Sequence, residues 1–266
     1  MKHLLTFTLL LFFAGSSYAQ DSSTVYLNIL GKETSKETAR YYRKKIQQGS
    51  QWLVTQYTIS GEMIMKGVYA DDSCHIGNGE FSWYKNKNLL YHSCRYTNGK
   101  ANGADIYYYD NGRKQQEGNY INDKKDGEWV GYFESGKISG KATYKDDKQL
   151  TGQFFNEDGS NNQAIRVFLR PAEYPGAGKA LMQYLSSSIS YPRKAQKKEI
   201  EGTVVVQFIV RANGTISDIG IDQSVEPSLD AEALRVIKSM PDWTPAIIGG
   251  RYSDSYMKQP ITFRLK

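Results

Sequence analysis

Four residues of the 266-residue chain have types and spacing suited to metal or redox chemistry: Cys74-His75 and His92-x-Cys94. They include both cysteines and two of the three histidines. Two thiolates and two imidazoles can fill a tetrahedral zinc shell. Adjacent residues on a strand point to opposite faces, however, which works against all four converging. A Cys74–Cys94 disulfide and a pair of thiols are the competing readings. In an oxidising compartment the disulfide is the expected one, and closing a loop of about 20 residues would contribute about 3 kcal/mol. No serine or cysteine nucleophile has a base within a recognisable motif, and no pair of acids suggests general acid–base chemistry. The chain therefore reads as a non-enzyme, with no cofactor and no resident metal.

The compartment follows from the start of the chain. Met1-Lys2-His3 is basic, residues 4–15 are mostly apolar, and Ser17-Tyr18-Ala19 places small residues where a signal peptidase cuts. A helix of about 12 residues rises only about 18 Å against a bilayer core of about 30 Å, which favours a cleaved signal over a retained anchor. Export to the periplasm with cleavage after Ala19 is expected, leaving Gln20 as the new terminus. Lys and Arg number 34 against 28 Asp and Glu, a net charge of +6. The cations are interspersed with acids, as in Asn122-Asp123-Lys124-Lys125-Asp126, so nucleic-acid binding is not expected.

The elements that carry these residues repeat. Gly79, Gly103 and Gly127 are 24 residues apart, and Tyr84, Tyr108, Tyr132 and Tyr96, Tyr120, Tyr144 keep the same period. Of 20 tyrosines, 13 fall between residues 41 and 144, which marks this half as the repeated one. Each unit reads as a hairpin: an aromatic strand (residues 127–133), a turn (Glu134-Ser135-Gly136-Lys137), a return strand (138–144) and a polar link (Lys145-Asp146-Asp147-Lys148). One hairpin cannot bury its face alone, so an array is expected. The pattern over residues 61–159 resembles the MORN repeat, best at residues 127–137. The turn glycine is replaced by Asn88 in the Gly79 unit. Such a resemblance implies a stacked array that binds protein or lipid, or serves as a spacer.

From about residue 173 the period changes. Leu181, Leu185 and Ile189, with Met182 alongside, lie on one face of a helix that Pro192 ends. In residues 203–211 Val204, Val206, Phe208 and Val210 share a face, as in a central strand covered by helices on one side. Asn213-Gly214 is a hairpin turn, with a return strand over 216–221. Ser228 reads as the cap of a second helix with Ala233, Ile237 and Met240 inward; Pro241 ends it. Trp243 reads as core. Gly249-Gly250 then turns into a last strand over about 252–265.

These pieces resemble the TonB C-terminal domain family in its Bacteroidetes-type form. The matching segments are Glu173-Tyr174-Pro175-Gly176, Tyr191-Pro192-Arg193-Lys194-Ala195, Glu201-Gly202-Thr203-Val204, Asn213-Gly214-Thr215-Ile216, Leu229-Asp230-Ala231-Glu232-Ala233-Leu234, Met240-Pro241-Asp242-Trp243-Thr244-Pro245 and Pro260-Ile261-Thr262-Phe263. The resemblance implies two helices on a three-stranded antiparallel sheet. It also implies that the N-terminal box of an outer-membrane receptor adds as a strand to an open sheet edge. Carried over, the contact residues are Tyr191 and Pro192; the order of elements puts the long apolar strand at the sheet centre and leaves the last strand as the open edge, which adds Ser253, Ser255, Tyr256, Met257 and Gln259. Tyr191-Pro192 would serve equally as a helix stop with a packed ring. One departure stands out: Ser253-Asp254-Ser255-Tyr256 occupies a stretch where the family alternates valines.

The expected architecture is thus a signal peptide (1–19), a β-rich lead-in (20–60), a MORN-like array (61–159), a linker (160–172) and a small α+β domain (173–266). TonB-dependent receptors are the implied partners, joined by inner-membrane motor proteins were the signal retained. A family transducer carries a membrane helix and a proline-rich linker, whereas this chain has only 7 prolines. A cleaved form would be an accessory, adaptor or competitor in outer-membrane transport. The alternative is an envelope scaffold that binds protein, peptidoglycan or lipid through the array.

Overall fold

Several sharp reversals in the repeated part of the chain fall on asparagine and aspartate, residues that tolerate positive φ. The computed structural model describes residues 22–265. The expected signal segment, the cut after Ala19 and the terminus at Gln20 lie outside the described residues. Contacts divide the chain into two compact units: residues up to Asn88 with Tyr96–Gly99, and Leu89–Arg95 with everything from Lys100 on.

The first unit carries β1 (Ser22–Leu27), β2 (Tyr41–Gln48), β3 (Gln51–Thr58), β4 (Met63–Tyr69) and β5 (Gly77–Lys85). Each strand pairs antiparallel with its neighbour in sequence. Val54, Met65 and Phe81 form the core, ringed by Trp52, Tyr69, Trp83 and Tyr96.

The second unit takes in most of β6 (Leu89–Thr97), then β7 (Lys100–Tyr108), β8 (Lys114–Ile121), β9 (Lys124–Tyr132), β10 (Ile138–Lys145) and β11 (Lys148–Phe154). The 24-residue period is visible in the strands themselves, since β7 and β9 begin at Lys100 and Lys124, and β8 and β10 at Lys114 and Ile138. Asn122-Asp123 (φ 51° and 68°) and Asp146-Asp147 (φ 49° and 68°) are two-residue turns with positive φ at both positions, the geometry that matches strand twist in a tight hairpin. The stretch expected as a polar link is therefore a turn in its own right. From β7 to β11 the strands form one meander bonded edge to edge, not separate hairpins stacked on each other. Trp129 is fully buried, and its ring lies across Gly118, where a Cβ would sit 2.1 Å from the indole.

Residues 160–172, expected as a linker, close the end of this meander. Asn162 N donates to Phe154 O (2.8 Å), Phe168 N to Gln149 Oε1 (2.9 Å), and Gln149 Nε2 to Arg166 O (3.2 Å). Ile165 and Phe168 are buried with Trp129, Ala142, Tyr144 and Phe154. These contacts hold the two ends of the last strand and cover Phe154, while Leu150 in its middle stays 60% exposed.

The rest of the second unit holds β12 (Leu169–Arg170), α1 (Ala177–Ser188), α2 (Arg193–Lys197), β13 (Gly202–Val210), β14 (Ile216–Gln223), α3 (Pro227–Lys238), β15 (Ala246–Ile248), β16 (Arg251–Ser253) and β17 (Ser255–Phe263). One sheet runs β14-β13-β17. Val204, Val206, Phe208 and Val210 are fully buried on its inner face with Leu185, Leu229, Ala233, Val236, Ile237 and Trp243. Glu226 caps α3, accepting from the Ser228 and Leu229 N–H groups; Ser228, expected as the cap, sits inside the helix behind Pro227. A second small sheet, β12-β15-β16, was not anticipated.

The β15–β16 hairpin packs its tip against the meander. A Cβ on Gly131 would lie 2.0 Å from the Gly249 carbonyl oxygen. Ser139 Oγ donates to that oxygen (2.6 Å), Gly250 N donates to Phe168 O (2.9 Å), and Arg251 Nε donates to Tyr132 O (3.2 Å). Only glycine on both sides permits this approach of backbone to backbone.

Candidate functional site

The side of β17 turned away from β13 is unpaired among the described residues. Its geometry starts from the β13–β14 hairpin. Arg211 N donates to Thr215 O, and Gly214 N donates to Arg211 O, both at 2.8 Å, so the Arg211 backbone faces β14. Successive residues of a strand direct their N–H and C=O to alternate sides. Val210, Phe208, Val206 and Val204 therefore face β17. The register of β13 with β17 runs unbroken, pairing those four with Ser255, Met257, Gln259 and Ile261. Tyr256, Lys258, Pro260 and Thr262 are left with their backbone groups directed to the open side. Pro260 fits this placement, because a residue without an N–H belongs on the unpaired side of an edge strand.

The side chains around this edge are held in place. Tyr256 is 56% exposed and donates its hydroxyl to Gln207 Oε1 (2.6 Å). Lys258 pairs with Asp222 across the sheet at 2.7 Å, which raises its pKa through that hydrogen bond. Gln259 Nε2 donates to the Pro260 carbonyl (3.0 Å), and Ser255 Oγ lies 3.8 Å from Met257 Sδ. Asp254, between β16 and β17, accepts from Arg211 Nη1 (2.6 Å) and from Ala212 N (2.9 Å). The hydrogen bond from Arg211 holds its carboxyl below the ordinary range.

One of the expected contact residues lies elsewhere. Ser253 is buried on β16, paired with Ala246 in the second sheet, and is not part of the open edge. The chain bends at Asp254, so the single last strand expected over 252–265 is two strands in two sheets. Tyr191 stands at the far end of β17 with its ring edge-on to Phe263 (5.8 Å), and its hydroxyl donates to Ile200 O (2.6 Å). Pro192 precedes α2 as its N-cap residue. Ser255, Tyr256, Met257 and Gln259 lie together on β17.

The cysteine–histidine set takes other partners. Cys74 sits in a turn at φ 58°, its thiol donating to Asp72 O (3.4 Å), while the buried Cys94 thiol donates to Arg95 O (3.7 Å). Both are thiols, and the expected disulfide is not formed. The Asp71 carboxylate, accepting from the His75 and Ile76 N–H groups, fixes the turn that aims Cys74 at its own loop. His75 Nδ1 meets Ser73 Oγ at 2.7 Å. No group of three or more ligand-type side chains gathers among the described residues. His92 instead reaches the buried Asp105 at 2.6 Å and stacks on Tyr107 with ring centroids 4.0 Å apart. Sequence reasoning missed this pair, although the signal was there: Asp105 falls in the 24-residue column of Phe81 and Trp129, a charge where the neighbouring units carry core aromatics.

Two helices of twelve residues, a short third one, a three-stranded antiparallel sheet and an unpaired outer strand define a small α+β domain of the edge-presenting class. Residues 187–265 match the family model described as the Gram-negative bacterial TonB protein C-terminal, so the likeness to the TonB C-terminal domain family holds for this part of the chain. Protein TonB from two strains of Helicobacter pylori is 32% identical over 97 residues, which are 35% of this chain. The match spans only about a third (33%) of the length of those relatives. Two solution NMR structures of the Helicobacter pylori TonB-CTD are 31% and 30% identical, covering 32% and 33% of this chain and 78% and 92% of theirs, each with a TM-score of 0.27. No helix of the described residues is long and apolar enough to cross a membrane.

Proposed function

We propose that this chain works in the periplasm as a TonB-family protein whose β17 edge accepts an extended segment of an outer-membrane receptor, supporting transport across that membrane. The observation that carries the reading is the open edge itself. The family match over residues 187–265 takes in an outer strand whose Tyr256, Lys258 and Thr262 backbone groups face no other strand among the described residues. Main-chain pairing supplies the affinity in such additions, and neighbouring side chains select among sequences. Affinity in the micromolar range or weaker follows, because a short peptide loses conformational freedom on pairing.

Titrating the chain that starts at Gln20 with N-terminal peptides of outer-membrane receptors, while following backbone amide shifts, tests this. Shifts concentrated on β17 support strand addition. Shifts confined to α3, or a response only in the β7–β11 meander, overturn it; the latter outcome favours a scaffold that binds through its array.

A further inference from the structure

We propose that Pro260 and Gln259 seal the C-terminal half of the β17 edge, so that an added strand pairs with Tyr256 and Lys258 and stops there. This rests on the strand-addition reading and states which part of the edge is used. Two observations converge on Pro260. It faces the open side by the alternation counted from Arg211, and there it has no N–H to donate. Its carbonyl, the one group it does offer on that side, already accepts from the Gln259 side-chain amide at 3.0 Å. An incoming strand that reached this position would find no donor, and an acceptor it must share with the Gln259 amide.

Tyr256 and Lys258 differ from Pro260 in both respects. Each presents an N–H and a C=O outward, and their side chains are tied to Gln207 and Asp222 on the sheet's outer face rather than to the edge. That makes four main-chain hydrogen bonds available over three residues of β17. Beyond Pro260, the Thr262 backbone can be reached only by a strand that first passes the closed position. The partner is accordingly a short extended peptide of about four or five residues. It needs its own N–H and C=O groups opposite Tyr256 and Lys258 and none opposite Pro260. A proline in the partner is excluded at the first two positions and accepted at the third.

The test uses the chain starting at Gln20 and a blocked ten-residue peptide of alternating threonine and valine, with a glutamate and a lysine at its ends. Amide exchange rates are read on β17 with and without peptide, alongside a proline scan of the peptide. The expected result is slowed exchange at Tyr256 and Lys258, unchanged exchange at Thr262, and loss of binding at only the two proline positions that oppose Tyr256 and Lys258. Pro260→Thr restores a donor in a residue suited to strands, and Gln259→Ala frees the carbonyl. Together they are expected to slow exchange at Thr262 as well. They should also tighten binding about three- to tenfold for each hydrogen bond gained. Protection that already includes Thr262 in the unaltered chain, or a double variant with the same footprint and affinity, overturns the seal while leaving strand addition standing. Binding that leaves Tyr256 and Lys258 unprotected, or no binding to either form, overturns strand addition and the seal with it.

Discussion

Gly131→Ala is the sharpest test of how the C-terminal hairpin is seated. Gly131 lies within β9, and an alanine there would put its methyl group 2.0 Å from the Gly249 carbonyl oxygen and 2.5 Å from the Gly249 carbonyl carbon. Both are backbone atoms of a tight turn, so relief requires the whole hairpin tip to move. Overpacking of this kind costs about 1–3 kcal/mol. The same movement pulls Gly249 O from the buried Ser139 hydroxyl, 2.6 Å away, adding about 1 kcal/mol for a buried hydrogen bond. The sum is about 2–4 kcal/mol, or about 5–15 °C in the midpoint of the transition that includes this unit. Without the hairpin the sign reverses, because alanine in place of a mid-strand glycine stabilises by about 0.5–1 kcal/mol. Urea unfolding of Gly131→Ala, Ser139→Ala and the double variant reads the effect. Both changes act on one carbonyl, so their costs should add to less than their sum. Gly112→Ala is the control: its φ is +77° but nothing lies within 4 Å, so only backbone strain is felt. A Gly131→Ala protein as stable as the unaltered chain, or more so, refutes the seating described.

His92→Leu is expected to cost about 1–3 kcal/mol because the buried Asp105 carboxyl loses a hydrogen bond; adding Asp105→Leu should recover part of this in urea unfolding. Asp254, held below the ordinary carboxylate range chiefly by the Arg211 hydrogen bond, contributes stability that is present above its unfolded pKa of about 4 and lost as pH falls through the folded value. Asp254→Asn should therefore remove a small part of the acid-side loss in stability, small because the pair is solvent-exposed, as measured by thermal melts from pH 6 to pH 3. Burial pushes the Cys74 thiol up, so labelling by a thiol reagent should be slow near neutral pH and accelerate on the alkaline side. Two thiols are expected in the unfolded, unreduced protein, and a count of zero would restore the disulfide.

Local signals were legible wherever the chain itself supplies the geometry. The 24-residue spacing of glycine and tyrosine marked the strands of the repeated region, and the alternation through Val204, Val206, Phe208 and Val210 marked the central strand and its covered face. The position of the last strand outside β13 could be read from the order of elements. These features depend on residues a few positions apart, whose periodicity and turn chemistry are written directly in the sequence. Tertiary structure decided the rest. Ser253 looked like an edge residue, yet it pairs with Ala246 in a sheet whose first strand, β12, comes some 80 residues earlier. Residues 160–172 looked like a connector because they are short of regular pattern, but Ile165 and Phe168 fill the space beside Trp129. Gly249 and Ser139, 110 residues apart, meet only because the hairpin tip reaches the meander. Which polar group sits on an open edge, and which is buried, depends on neighbours brought in by such long-range packing, and no local period encodes them.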